Sequence, residues 1–277
     1  MTDSRPLVEP VSGEPAAVAD VGRERALVVA DYHAGIEAGL RYERGVELDS
    51  HAEVRRARIR SLLDRTDPDR LVVLGDLGHQ IGNPKGDEEG ELAAFAEMVT
   101  DRVPVTLVRG NHDGGIEEQL APEFGDRFVV TDGAGVRLGD VGFVHGHRWP
   151  KREVLEADIV CSAHEHPAVR LEDSVGGGRK ERAWLRGPLR PEPFADHLGL
   201  DVGGRGPSDR RAKPADTAEL DWKSPELVVF PAFNDRSGGT WVNVDGQGFL
   251  SPFLPDALRS ADAYLLDGTR LGAYDSL

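Results

Sequence analysis

The sequence predicts an α/β fold with two packed sheets, and three observations carry that prediction. Short Val-rich apolar runs alternate with amphipathic stretches through the first half of the chain, the rhythm of strand, helix, strand. Each run ends in a residue able to bind a metal. Beyond about residue 125 the alternation gives way to closely spaced short strands, as expected of a second sheet packed on the first.

The elements follow in order. Ala26–Ala30 precedes Asp31 and His33, Leu71–Gly75 precedes Asp76, and Val105–Val108 precedes Arg109, Gly110, Asn111, His112 and Asp113. Val141–Val144 then leads to His145, and Ile159–Ala163 leads to His164 and His166. Unbroken apolar runs of this length read as strands covered on both faces. Between them, His51–Asp64 predicts a helix with Val54, Ala57, Ile59, Leu62 and Leu63 as its apolar set and Asp49 or Ser50 as its cap. Glu88–Thr100 predicts another, with Leu92, Phe95, Ala96 and Val99 on one face and acidic residues at the start, where the helix dipole favours them. Further strands are expected near Arg182–Leu185 and Leu227–Phe230, with a hairpin turn at Gly176–Gly178. One domain spans residues 1–277. Within it, the Pro-, Gly- and Arg-rich stretch 188–224 reads as a surface insertion.

Open α/β sheets bind ligands beyond the carboxyl ends of their strands, so the five tips predict one crevice lined by carboxylate, imidazole and amide groups. Seven of the nine histidines fall at or beside those tips, which makes independent structural roles for all of them improbable. His51 and His197 lie elsewhere and read as surface or loop residues.

Asp31-Tyr32-His33, Gly75-Asp76-Leu77-Gly78-His79, Gly110-Asn111-His112-Asp113, His145-Gly146 and His164-Glu165-His166 resemble, in that order, the five motifs of the calcineurin-like metallophosphoesterases. The resemblance implies a four-layer α/β/β/α sandwich of two mixed sheets with helices outside. It also implies a two-metal centre, with Asp31, His33 and His166 on one ion, Asn111, His145 and His164 on the other, and Asp76 bridging. Ligands of nitrogen and oxygen suit Mn best, with Fe or Zn as alternatives, and no sulfur ligand is available. The implied reaction is hydrolysis of a phosphodiester by in-line attack of a hydroxide shared by two ions about 3.5–4 Å apart. His112 would act at the leaving group and Asp113 would orient its ring. Arg109, His147 and Arg148 are candidate substrate contacts, and Lys151 and Arg152 either join them or lie on a solvated helical turn. His79 stands where many members carry Asp, and Ala163 where a Gly usually precedes the first His.

A narrower resemblance lies in Asp31–Glu37 with Gly45–Leu48, and in Phe230-Pro231-Ala232-Phe233-Asn234 with Gly238-Gly239. These are similar to an archaeal and bacterial branch related to the nuclease subunit of double-strand-break repair. That likeness implies DNA ends or single strands as substrate and a repair helicase or ligase as partner. Two other readings stand beside it: a phosphomonoesterase or small-nucleotide hydrolase using the same centre, and a non-catalytic scaffold of the same fold.

Composition narrows the setting. The formal charge is −16, with 33 basic residues against 49 acidic ones and only five Lys, a balance that points to a halophilic source. A chain this acidic is not a general DNA-coating protein, because such binding depends on neutralising phosphates. The lone Cys161 sits inside an apolar run, where it reads as core filler in a reducing, cytoplasmic protein. No stretch is apolar enough for a membrane span.

Overall fold

The computed structural model describes residues 6–172, 176–202, 219–244 and 246–277. β1 (Val8–Pro10) and β2 (Ala16–Asp20) lead antiparallel into β3 (Arg25–Val29). Then come α1 (Ile36–Arg44), α2 (Ala52–Thr66), β4 (Arg70–Val73), α3 (Asp87–Thr100), β5 (Val105–Val108), α4 (Ile116–Phe124) and β6 (Phe128–Thr131). These strands form one sheet in the order β1-β2-β3-β4-β5-β6, parallel from β3 onward.

The second sheet begins with β7 (Val136–Leu138), β8 (Val141–Phe143), α5 (Arg152–Leu155), β9 (Ile159–Ser162), β10 (Ala168–Glu172), β11 (Gly178–Pro188) and α6 (Glu192–Leu198). A two-stranded parallel ribbon of β12 (Asp201–Val202) and β13 (Glu219–Leu220) follows, and β14 (Glu226–Val229), β15 (Asp262–Leu265) and β16 (Arg270–Ala273) complete the described strands. Its order is β16-β15-β11-β14-β9-β8-β7, with β10 paired to β11. The neighbouring pairs β14–β9 and β9–β8 are parallel and the other described pairs antiparallel, so the sheet is mixed.

Side-chain alternation shows why the strands had to be continuously apolar. Val28, Ala30, Val72, Leu74 and Val108 face inward against Phe143, Cys161, Trp184, Val228 and Phe230 of the other sheet. Their neighbours Leu27, Val29, Leu71, Val73 and Leu107 face outward onto Ile59, Leu62, Phe95, Val99 and Leu120 of α2, α3 and α4. The second sheet repeats the scheme, with Val160, Leu185, Leu227 and Val229 under Val154, Leu155, Phe194 and Phe253. The result is the expected four layers, and burying Cys161 between the sheets makes it packing material.

Three local expectations need correction. In α2, Val54 and Ala57 are exposed, and the inward face carries Arg55 with Ile59, Leu62 and Leu63. Burying an arginine there works because Glu37 of α1 and Glu91 of α3 receive it, with Arg55–Glu37 at 2.6 Å and Arg55–Glu91 at 2.8 Å and all three side chains nearly solvent-free. The N-cap of α2 is His51, neither Asp49 nor Ser50, and it makes no side-chain cap bond; Ser50 Oγ accepts only a 3.3 Å bond from the Ala52 N–H. Finally, the flanks of the 188–224 stretch are packed, since Phe194, Ala195 and Leu220 join the outer core. Residues 203–218 of that stretch lie outside the described residues, as do 173–175 of the turn joining β10 to β11.

Candidate metal centre

The carboxyl ends of β3, β4, β5, β8 and β9 converge, and the chain turns sharply just past them. Asp31, His33, Asp76, His164 and His166 all have φ between 45° and 72°, a region that costs residues with a Cβ roughly 1–3 kcal/mol. Five such residues in one crevice mark a place where geometry is held against local preference. Two glycines make the approach feasible. A Cβ on Gly75 would lie 2.4 Å from His145 Nδ1, and one on Gly110 would lie 2.2 Å from Asp76 Oδ1. Ala163 takes no positive φ, so its Cβ is accommodated, and its N–H donates to the His145 carbonyl at 2.8 Å.

The donor atoms fall into two groups that share one carboxylate. Asp31, His33, Asp76 and His166 can direct one atom each to a common point, and so can Asp76, His145 and His164. Asn111 stands at the second group, its Oδ1 3.2 Å from His145 Nε2. Every residue expected to ligate therefore lies in the crevice.

Backbone carbonyls set which ring nitrogens face inward. His145 Nδ1 donates to the Leu74 carbonyl at 2.7 Å, and His166 Nδ1 donates to the Gly238 carbonyl at 3.3 Å, which turns both Nε2 atoms to the centre. Asn234 braces the same region, its Nδ2 donating to the carbonyls of Tyr32 at 3.0 Å and His33 at 3.3 Å.

The electrostatics are those of a site built for cations. Burial pushes the His33 imidazole down to about 3 and His164 down to about 4, so both rings are neutral near pH 7 and offer lone pairs. Burial also opposes charge on His145, yet the Asp76 and Asp31 carboxylates outweigh it and lift that imidazole to about 10. The same coupling holds Asp76 well below the usual carboxylate range despite its burial. Both Asp31 carboxylate oxygens are buried without a hydrogen-bond partner, and Asp31 Oδ1 lies 3.2 Å from His166 Nε2. Divalent ions fit this donor set: orphaned carboxylate oxygens, neutral imidazoles and one amide oxygen, with no thiolate.

His112 lies beside the centre with its side chain about one quarter exposed. Its Nδ1 donates to the His79 carbonyl, which leaves Nε2 free to reach outward, 3.9 Å from Asp76 Oδ2. The expected contact between Asp113 and that ring is absent. Asp113 is fully buried and accepts instead from the backbone N–H groups of Asp76 (2.9 Å), Leu77 (2.8 Å), Gly78 (3.2 Å) and Gly110 (2.7 Å). Four donors saturate the carboxylate, so it clamps the two ligand loops together and has nothing left for an imidazole. The His79 ring stacks on His112 at 5.8 Å and meets His33 edge-on at 5.3 Å.

The three expected substrate contacts sit differently. His147 is half-buried beside His145 at 5.3 Å, with Nδ1 unpartnered, and Arg148 is exposed next to it. Arg109 is ion-paired with Glu117 of α4. Lys151 pairs with Glu153 of α5, and Arg152 with Glu156 just past its end, the solvated arrangement. His51 is no mere surface residue, since its Nε2 accepts from Arg236 at 2.8 Å, whereas His197 is exposed and stacks on Trp149.

Sequence reasoning missed Glu88 and Glu91 as parts of the site's support. Glu88 accepts from the His79 and Gln80 N–H groups, and Glu91 accepts from the Gly35 N–H at 2.8 Å. Acidic residues near the start of a helix are common enough to hide two that are buried.

Comparison with known proteins follows the same line. Residues 24–230 match the family described as calcineurin-like phosphoesterase. No curated protein matches the chain. Among solved structures, a Pseudomonas putida nuclease called MPE superposes with a TM-score of 0.52 at 18% identity, covering 95% of this chain and 100% of that one. Yfce, a phosphoesterase from E. coli, gives 0.36 at 14% identity over 90% of this chain and 97% of its own, too distant to bear on the fold.

Proposed function

We propose that this chain, which belongs to the calcineurin-like phosphoesterase family, hydrolyses phosphodiester bonds at a centre of two divalent ions. The observation that carries the reading is Asp76, whose carboxylate belongs to both donor groups. A pair of ions held there, Mn best matching the nitrogen and oxygen donors, would supply Lewis acidity and a water made nucleophilic near neutral pH.

The chain's own residues do the rest. Asp31, His33 and His166 with Asp76 hold one side, and Asn111, His145 and His164 with Asp76 hold the other. Neutral His33 and His164 would bind without first losing a proton, whereas His145 would have to give its proton up. His112, anchored through Nδ1, presents Nε2 to the departing oxygen and protonates it, a contribution of roughly 10²–10⁴-fold for such acids. Asp113 acts through the backbone, fixing the separation of the Asp76 and Asn111 loops. His147 and Arg148 line the approach on the His145 side.

A nucleic-acid strand is the diester we favour. The Pseudomonas putida protein of the same fold is a nuclease, and the branch resemblance in Asp31–Glu37 and Phe230–Asn234 points to DNA repair. Hydrolysis of bis(p-nitrophenyl) phosphate and of p-nitrophenyl phosphate by Mn²⁺-loaded protein in high salt tests the reading. Faster turnover of the diester supports it, and turnover of the monoester alone replaces it with a phosphatase.

A further inference from the structure

We propose that the small pocket on the far side of His166, walled by Lys180, Arg182, Asn234, Ser237 and Gly238, binds a phosphate of the substrate strand next to the one being cleaved. The inference rests on the diesterase reading above and names the side from which the strand is held. The cavity measures about 170 Å³ and shares His166 with the metal centre. Its floor and the centre are physically continuous, because the Gly238 carbonyl in its wall accepts from His166 Nδ1.

Lys180 is the residue that gives the pocket its chemistry. It extends from β11 beside the His166 backbone: a Cβ placed on Gly239 would lie 2.4 Å from the His166 carbonyl oxygen and 3.5 Å from Lys180 Nζ. No carboxylate pairs with that ammonium among the described residues. The Trp241 ring lies 5.6 Å away, which can steady a cation without neutralising it. In a chain with sixteen excess negative charges, an uncompensated lysine beside a phosphoester site is an informative exception.

The surroundings support an anion. Arg182 lies behind Lys180 with one face tied to the Ala232 and Phe233 carbonyls at 2.9 and 3.2 Å, so it adds positive charge from a fixed position. The Ser237 hydroxyl is buried without a hydrogen-bond partner and is available as a donor. Two carboxylates also stand in the wall: Glu181 is engaged by Arg179 at 3.4 Å, and Asp235 is exposed at the rim near Arg182. A monoester or a compact diester fills the metal centre alone, so only a substrate with a second phosphate would use this pocket.

The test compares wild type with Lys180→Gln and Ser237→Ala. Binding of fluorescein-labelled single-stranded oligothymidylate is followed by anisotropy in EDTA, across a salt series. Lys180→Gln should weaken binding about tenfold, as for loss of one charge-assisted contact, and lower the salt slope by about 0.7. Ser237→Ala should weaken binding less and leave the slope as it is. In Mn²⁺, Lys180→Gln should lower kcat/KM about tenfold more for oligothymidylate than for bis(p-nitrophenyl) phosphate, chiefly through KM. Equal affinity and equal slope for wild type and Lys180→Gln would overturn the subsite. Absence of any diester hydrolysis by wild type would instead remove the diesterase reading, and the binding contrast in EDTA is read independently of it.

Discussion

The Nε2 atoms of His33 and His166 face each other at 3.4 Å, next to an Asp31 carboxylate whose two buried oxygens have no hydrogen-bond partner. Two ring nitrogens and a buried carboxylate turn toward one point, with Asp31 Oδ1 3.2 Å from His166 Nε2 and Oδ2 without a partner. A cation satisfies all three. Mn²⁺ at a hundredfold excess over its Kd should therefore stabilise the chain by about 2.7 kcal/mol, seen as a rise in Tm. His33→Ala should lose most of that rise, and a metal-independent Tm in wild type would contradict the assignment.

Binding should also release protons. His145 is lifted to about 10 by Asp76 and Asp31, and His166 is raised by Asp31, both against the effect of burial. Because a ligand nitrogen must be deprotonated, apparent affinity for Mn²⁺ should increase with pH across the neutral range. Calorimetry in buffers of different ionisation enthalpy measures this as a net proton release, and a release indistinguishable from zero would count against these two rings as ligands.

The buried Glu37–Arg55–Glu91 cluster should matter for stability more than for chemistry. Truncating Arg55 to Ala leaves Glu91 buried without its cation and Glu37 with Arg236 alone, at 3.0 Å, and should cost about 3–5 kcal/mol. Burial works against charge on Glu37, yet the hydrogen bonds and charge of Arg55 hold its pKa below the ordinary value. A depressed carboxylate contributes stability above its unfolded pKa and loses it as pH falls through the folded value. The gap in Tm between wild type and Glu37→Gln should therefore be full near neutral pH and shrink on acidification below about 4.5.

Asp113→Asn separates the backbone clamp from a role at the imidazole. An amide can accept from only some of the four N–H groups that Asp113 now holds, and its NH₂ would oppose the others. Destabilisation of about 2–4 kcal/mol is expected, a buried-network loss. A variant with unchanged Tm and an altered pH–rate profile alone would restore Asp113 as the orienting group of His112.

Much of this was legible in the sequence for a specific reason. Buried parallel strands must be apolar on both faces, so the polar residue that ends each run is conspicuous, and five such residues defined the crevice. The supporting groups were not visible in the same way. Arg55, Glu88 and Glu91 look like solvated helix residues because burial of a charge depends on partners far away in the chain. The inward face of α2 differs from its apolar set for that reason, since Val54 is exposed and Arg55 is buried. β1 and β2 were hidden by a short, Pro-punctuated N-terminal stretch whose strand character depends on pairing with β3. The pocket beside His166 joins β11 to the loop after β14, and no local pattern announces such a meeting.

Metal stoichiometry of turnover tests the shared carboxylate most directly. Metal-stripped protein is titrated with Mn²⁺ while bis(p-nitrophenyl) phosphate hydrolysis is followed, with Asp76→Asn beside it. Turnover should be absent without metal, saturate at about two ions per chain, and be lost in Asp76→Asn. Turnover that is independent of added metal, or that survives intact in Asp76→Asn, would contradict a centre built on that carboxylate.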